Sequence, residues 1–171
     1  MFVGSEERND MKLIDYLETL CVKANPDYRF MHEEADMINL KIDGFTRGTK
    51  FVYVEAVRNG AYVRNRAAVK SKTLNVRIFF CQFTEFGNDM RRTVILGGRV
   101  SSHEKKNEEI LTQIESEIVD RFVDLLDTPE AMKRLTFGQP WQRLPFQYPP
   151  SRYDGNELSV MLEFTVIAPK C

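Results

Sequence analysis

The sequence has 171 residues, a length suited to one domain with one sizeable core. Hydrophobic residues make up 43% of it and charged residues 29%, a balance that excludes disordered and collagen-like chains. The formal net charge is −1, so the charge of the whole molecule cannot attract a polyanion or a membrane, and such binding would require a local patch.

The cysteines point to a reducing compartment. Cys21, Cys81 and Cys171 are spaced too widely for a structural zinc site, and their odd number favours reduced thiols. The first residues lack the basic start and apolar stretch of a signal peptide, and no window approaches about eighteen consecutive apolar residues. We therefore expect synthesis in a cytoplasm without export, and no membrane partner.

The first predicted element is a helix that begins with Asp10 as its N-cap and stops at Asn25-Pro26. Its apolar residues recur at spacings of three and four, as one buried helical face requires. They are Leu13, Ile14, Leu17, Leu20, Cys21 and Ala24. Between about residues 28 and 43 the apolar period changes to two, which predicts a half-buried strand containing Ile38, Leu40 and Ile42.

Two further strands are predicted before the middle of the chain. Residues 51–57 are rich in β-branched and aromatic side chains and lead to Asn59-Gly60, a dipeptide suited to a hairpin turn into residues 61–63. Residues 73–83 alternate apolar and polar side chains, which predicts a central strand. Its second face becomes apolar near the end, at Phe79, Cys81 and Phe83. Both faces of the sheet should therefore be covered there.

A shorter apolar run at 93–96 precedes the longest predicted helix, in which Ser101 and Glu104 have the spacing of a capping box. The apolar stripe of this helix is Ile110, Leu111, Ile114, Ile118, Phe122, Leu125 and Leu126. Its opposite, polar face carries Lys106, Glu109, Gln113, Glu117 and Asp120. The tripeptide Asp127-Thr128-Pro129 ends this helix and can cap a short one through Leu135.

Residues 158–168 alternate as a last strand, and the order of elements contains no repeating strand-helix-strand unit. We therefore predict a single α+β domain over residues 1–171. A mainly antiparallel sheet of about four or five strands should be covered by the N-terminal helix and the long second helix.

The sequence offers little for catalysis. His32 and His103 are the only histidines, and neither lies in a motif for a nucleophile with its base. The acidic residues after His32 lack the fixed spacing of a calcium loop or a zinc helix. We expect no catalytic residue, no metal and no cofactor, because an enzyme would need a pocket assembled from distant carboxylates.

The segment 58–77 is basic and contains no acidic residue. Its cations are Arg58, Arg64, Arg66, Lys70, Lys72 and Arg77. Clustered Lys and Arg side chains can neutralise the phosphates of a nucleic acid or meet the acidic surface of a neighbouring subunit. The alternative is a solvated, mobile loop.

The arm 137–153 combines prolines with aromatic residues. Four of the seven prolines and the only tryptophan lie here. Proline stiffens an extended chain, and aromatic side chains anchor in the pockets of a partner. The candidate anchors are Trp141, Phe146, Tyr148 and Tyr153. The alternative is an arm packed on its own domain, which would hide these rings.

The order of elements resembles that of the tail-terminator and neck (head-tail joining) proteins of tailed bacteriophages. The similarity spans nearly the whole chain and includes the capped helix from Ser101, the Asp154-Gly155-Asn156-Glu157-Leu158 lead into the last strand, and the strand end Ala168-Pro169-Lys170-Cys171. None of these residues forms a family motif from which a functional site could be assigned to this chain.

The resemblance implies a structural virion protein whose copies form a ring, commonly sixfold, at the head-tail junction. Its partners would be further copies, the tail-tube and neck or connector proteins, and DNA passing through the lumen, after synthesis in the bacterial cytoplasm. A head-to-tail ring needs two different complementary patches on each subunit, for which the basic segment and the arm are candidates. A nucleic-acid-binding or adaptor module that uses residues 58–77 is the alternative function.

Overall fold

The computed structural model describes residues 4–32, 48–55, 60–65, 68–83, 102–137, 144–149 and 157–169. The described elements are helix α1 (Gly4–Ala24), strands β1 (Arg29–His32), β2 (Lys50–Val54), β3 (Gly60–Asn65) and β4 (Ala68–Phe83), helices α2 (Ser102–Ile114), α3 (Asp120–Leu126) and α4 (Pro129–Arg134), and strands β5 (Thr136–Phe137), β6 (Phe146–Gln147) and β7 (Glu157–Pro169). A π-helical turn, Glu115–Val119, joins α2 to α3, and the three together form the long helix.

The described strands form one mostly antiparallel sheet. Its order is β1-β2-β4-β7-β5, with β3 on the same edge of β4 as β2, and β6 on the same edge of β7 as β5. Among the described strand pairs, β1–β2 alone is parallel. The predicted α+β class with a mainly antiparallel sheet is confirmed. The described strands number seven instead of four or five, because two positions in the sheet each hold two strands end to end.

The β4–β7 ladder is the centre of the sheet. The two strands pair antiparallel from Ser71 and Pro169 at one end to Phe83 and Glu157 at the other. The central strand predicted over 73–83 is therefore confirmed, although β4 begins five residues earlier. The predicted last strand is also confirmed, with one additional residue at each end.

The hairpin predicted at Asn59-Gly60 is wrong. β2 pairs with residues 78–82 of β4 and β3 with residues 68–74, so the chain continues in one direction through both strands. The reversal comes instead between β3 and β4. Gly60 is needed because β3 and β4 approach each other closely: a Cβ at this position would lie 2.0 Å from the carbonyl oxygen of Thr73. Its φ angle is not positive.

Helix α1 packs one apolar side into the main core. Leu17, Leu20 and Cys21 are buried there, as the helical spacing predicted. The predicted start is wrong, since the helix begins at Gly4 and Asp10 lies within it. The acidic residues before Asp10 also suit the first turn of a helix. The capping preference of Asp10 therefore did not determine where α1 begins.

The long helix packs into the same core through residues spaced by four: Ile114, Ile118, Phe122 and Leu126 are all buried. On a regular α-helix, residues four apart are rotated by about 40°, so this stripe would wind away from the sheet. The wider turn at Glu115–Val119 compensates for that rotation and keeps the stripe on the core. The ring of Phe122 meets Phe80 of β4 edge-on at a centroid distance of 5.3 Å.

The short helix α4 forms as predicted. The Thr128 hydroxyl accepts a hydrogen bond from the Ala131 backbone N–H at 3.3 Å, which caps the helix, and Pro129 stands in its first turn.

The opposite face of the sheet is buried as well, as the apolar second face of residues 73–83 predicted. Tyr53 and Phe79 stack at a centroid distance of 5.7 Å, and Phe51 and Phe83 lie 5.7 Å apart. Met31, Cys81 and Met161 complete this second cluster. β4 therefore carries two cores, with its even-numbered residues in one and its odd-numbered residues in the other.

Several predictions fall outside the described residues. They concern the alternating residues Ile38, Leu40 and Ile42, the apolar run 93–96 and the cap at Ser101. Among the helices that are described, none has both the length and the apolar character needed to cross a membrane.

Candidate partner interface

The described part of the arm lies along the edge of the sheet. Phe146 pairs with Leu162 of β7, and the Glu163 N–H donates to the Pro145 carbonyl at 3.3 Å. Leu144 is half-buried and packs on the main core. This much of the arm therefore rests on its own domain, as the alternative prediction stated.

The aromatic rings of this segment nevertheless point outward. Phe146 is 57% exposed and Tyr148 is 50% exposed. The two rings meet edge-to-face at a centroid distance of 5.4 Å, and the Tyr148 hydroxyl donates a hydrogen bond to the Glu115 carboxylate. That hydrogen bond, together with burial, raises the pKa of Tyr148 to about 12. Two of the predicted anchors thus form an exposed aromatic pair held in place by the long helix, whereas Trp141 and Tyr153 lie outside the described residues.

An apolar groove lies beside this pair, between the long helix and β7. It encloses about 230 Å³. Its lining residues are Glu115, Val119, Asp120, Val123, Leu144, Phe146, Val160 and Leu162. Six of these are apolar and two are carboxylates, so the groove offers a hydrophobic floor with an acidic contribution from the helix.

The π-helical turn contributes to this groove. Glu115 and Val119 are the first and last residues of the turn, and Asp120 follows directly. Such turns occur often at functional sites because they alter which side chains share one helix face. Here the turn places an acidic residue and an apolar residue along the same groove.

The basic segment is a β-hairpin in its described part, and the alternative of a mobile loop is wrong there. Arg64 lies in β3, and Lys70 and Lys72 lie in β4. The pairing shifts by one residue between Val63 and Arg64, a bulge that interrupts the regular ladder. Arg58 and Arg66 lie outside the described residues.

One cation of this segment is neutralised by acidic neighbours. The Arg77 Nε lies 3.2 Å from the Glu163 carboxylate, and its terminal nitrogen lies 3.9 Å from that of Glu55. Both carboxylates lie outside the segment 58–77. The sequence of that segment alone therefore overstates the positive charge around Arg77.

An exposed aromatic residue accompanies the hairpin cations. Tyr62 is 63% exposed and pairs directly with Lys72 across the strands, so both residues lie on one face. Sequence analysis missed Tyr62 as a candidate, although it stands between Arg58 and Arg64. An aromatic residue in a basic strand is the signal that could have identified it.

A second polar site joins the segment after α1, β2 and the long helix around Glu117. The Glu117 carboxylate accepts hydrogen bonds from Lys50 Nζ at 2.7 Å, Gln113 Nε2 at 2.6 Å and the Tyr28 hydroxyl at 3.2 Å. Burial raises the pKa of Glu117, but these hydrogen bonds and the Lys50 charge outweigh it, so the pKa lies below its ordinary value of 4.5. Burial, followed by the Glu117 charge, raises the pKa of Tyr28.

The sequence placed Glu117 on the polar face of the long helix. In the structure this residue is half-buried, and its carboxylate has three polar partners. The Asn25 amide also donates to the Glu117 carbonyl at 3.3 Å, beside the C-terminal end of α1. This arrangement fixes α1 against the long helix and has the character of a structural clamp.

The described side chains contain no group of three or more His, Cys, Asp or Glu residues close enough to hold a metal. His32 ends β1, where its Nδ1 lies 3.0 Å from the Val54 carbonyl and must therefore carry the proton. Two comparisons with known proteins add no relative, since no family model and no curated protein matches this sequence.

Proposed function

We propose that this chain is a structural subunit of a tailed-bacteriophage virion, a tail terminator or neck/tail-completion protein without catalysis of its own. Its copies would close into a ring, commonly of six, at the head-tail junction. The N-terminal helix and the long helix on one face of an antiparallel sheet support the proposal, because the resemblance to such proteins includes this order of elements.

The observation that carries the proposal is the placement of two unlike surfaces on opposite sides of the β4–β7 ladder. The basic hairpin is paired on the β3 side of β4, and the aromatic pair with its groove lies at the β6 edge of β7. A head-to-tail ring requires two different, complementary patches on one subunit. Exposed aromatic rings are frequent anchors at such interfaces.

The proposed partners are other copies of the chain and the tail-tube and connector proteins above and below the ring. DNA would pass through the lumen, and the protein would act in the virion after synthesis in the host cytoplasm. Exposed Phe146 and Tyr148 suit a lasting protein contact better than a transient one, because large apolar rings are usually buried in the mature assembly.

The test is the solution mass of the purified chain, measured by light scattering over a wide concentration range at two salt concentrations. We expect a discrete ring-sized oligomer, or a concentration-dependent approach to one. The Phe146→Ser variant should shift assembly to higher concentration. Val22→Ser is the matched control, because Val22 is also exposed but lies on α1, away from the arm. A chain that is monomeric at every concentration contradicts self-assembly.

The second candidate function is a nucleic-acid-binding module that uses the basic hairpin. The observation in its favour is the two-stranded form of the segment, since β-ribbons with Lys and Arg side chains can enter a nucleic-acid groove. It requires DNA binding by the monomer that weakens steeply with salt. A reduced salt slope in Arg64→Glu, with unchanged self-assembly, would favour this function over the ring subunit.

A further inference from the structure

We propose that the β3–β4 hairpin of one copy docks into the groove of the next copy, with Tyr62 in the apolar part and Lys72 against the acidic side. This inference rests on the proposed ring assembly and specifies the contact that would build it. The occupant is thus a second copy of this chain.

The hairpin presents the two side chains as a unit. Because Tyr62 and Lys72 are directly opposed in the antiparallel register, their Cβ atoms lie about 5 Å apart on one face. Tyr62 is 63% exposed, so the ring makes little contact within its own chain. An aromatic ring beside an ammonium group matches a partner surface that has an apolar cavity beside a carboxylate.

The groove has the size for such a ring. It encloses about 230 Å³, and engineered apolar cavities of about 150 Å³ bind benzene. Its apolar lining from Val123, Leu144 and Leu162 suits the ring, while the phenol hydroxyl can remain at the polar side. One tyrosine ring therefore fits the groove.

Charge complementarity selects the hairpin as the occupant. Glu115 and Asp120 contribute two carboxylates to the groove, and Asp120 is exposed. The hairpin carries Arg64, Lys70 and Lys72 along its two strands. Opposite charges brought together at an interface fix its register and disfavour wrong partners.

The topology requires that this contact be made between copies. The hairpin lies on one side of the β4–β7 ladder and the groove on the other, so a chain cannot place its hairpin in its own groove. Docking in trans leaves one hairpin and one groove unused at the ends of any open oligomer. Such an interface continues to add copies, and it gives a closed ring when its rotation divides the circle.

Two single variants test the contact from its two sides. Tyr62→Ser removes the ring, and Asp120→Lys reverses a charge of the groove. We expect each to raise the concentration of half-assembly by roughly thirty-fold, as loss of a central anchor does. The matched control for the second is Asp124→Lys, on the same helix but outside the groove. Circular dichroism must show wild-type folding for every variant.

Mixing the two variants gives the sharper test. The Tyr62→Ser chain keeps an intact groove, and the Asp120→Lys chain keeps an intact hairpin. In an equimolar mixture, the hairpin of the Asp120→Lys chain can therefore dock into the groove of the Tyr62→Ser chain, but the reverse contact cannot form. We expect a heterodimer of twice the chain mass and no larger species. A charge exchange provides a separate check, because Lys72→Glu combined with Asp120→Lys should recover part of the assembly lost by either alone.

The outcomes separate this inference from the function on which it rests. A wild-type chain that never assembles overturns both. A wild-type oligomer that persists in Tyr62→Ser and Asp120→Lys overturns the docking contact and leaves the ring proposal standing. Loss of assembly in Asp120→Lys alone, with Tyr62→Ser unaffected, shows that a different segment occupies the groove and also overturns the inference.

Discussion

Glu117 shows how one side chain can determine the arrangement of several elements. Its carboxylate is shared by Lys50 from β2, Tyr28 from the segment after α1, and Gln113 one helical turn earlier. The Lys50 ammonium also lies 5.7 Å from the centre of the Tyr28 ring, within the range of a cation–π contact. The ionised form of Glu117 is therefore the form that the folded protein favours.

We expect Glu117→Gln to lower the free energy of unfolding at neutral pH by about 1 kcal/mol, since the amide retains the shape but loses the charge. Because the folded-state pKa of Glu117 lies below 4.5, its contribution is present above that pH and is lost as the pH falls through the folded-state value. The difference between wild type and variant should therefore shrink in acid.

Denaturant titrations from neutral pH to about pH 3 would measure this difference. Glu109→Gln is the matched control, because Glu109 is an exposed carboxylate on the same helix. A stability gap for Glu117→Gln that stays constant over the whole range would contradict the role given to its charge.

At the level of the elements, β2 and β3 make one interrupted edge beside β4. Their alignment depends on Gly60, where even a methyl group would collide with the backbone of Thr73. The Thr73 hydroxyl reinforces the contact through the backbone N–H and carbonyl of Ala61, at 3.1 and 3.3 Å. These contacts fix the Gly60 end of the β3–β4 hairpin to the sheet.

We expect Gly60→Ala to destabilise the fold by about 1–3 kcal/mol, because the strand must move away to admit the Cβ. Faster amide hydrogen exchange in β3 and in the first half of β4 should accompany the loss. Ala61→Ser, a change at the next exposed position, is the control. Unchanged exchange in Gly60→Ala would mean that β3 does not approach β4 as closely as described.

The elements themselves could be predicted from periodicity, but their pairing could not. The buried faces of α1, β4 and β7 follow from spacings of 3.6 and two residues. Gly60, by contrast, was interpreted as a turn residue because a sequence does not distinguish a positive φ angle from a close approach. The π-helical turn was recoverable in principle, since the strict spacing of four from Ile114 to Leu126 exceeds the period of an α-helix.

The candidate site was only partly predictable for a related reason. Aromatic composition identified Phe146 and Tyr148, whereas Glu115 and Asp120 looked like ordinary polar residues of a long helix. The groove exists because the arm crosses back onto β7 beside that helix. Such a juxtaposition depends on long-range topology, which no local pattern contains.

For the whole molecule, the decisive feature is a sheet that separates two cores. Cys21 lies in the core that contains the helices and Cys81 in the aromatic cluster on the opposite face. Both thiols are buried, and burial raises the pKa of each, followed by the charge of Glu18 for Cys21 and of Glu157 for Cys81. Each is therefore a chemical reporter for one side of the sheet.

In a Cys171→Ser background, we expect both thiols to resist a neutral alkylating reagent in the native state and to react at the same rate as each other. The reason is that β4 contributes to both cores, so that opening either one disrupts the shared strand. Peptide mapping after timed labelling would give the two rates. Labelling of Cys81 much faster than Cys21 would show that the second core opens independently.

The β4–β7 ladder also has a kinetic consequence. Its cross-strand neighbours are far apart in sequence: Arg77 and Glu163 are 86 positions apart, and Asn75 and Thr165 are 90. Contacts of such long range form slowly because a large loop must close before any of them is gained. Until then the edge of β4 that pairs with β7 remains open to aggregation, and this strand is apolar on both faces near its end. Slow synthesis at low temperature should therefore raise the soluble yield of this protein more than it does for a helical domain of equal length.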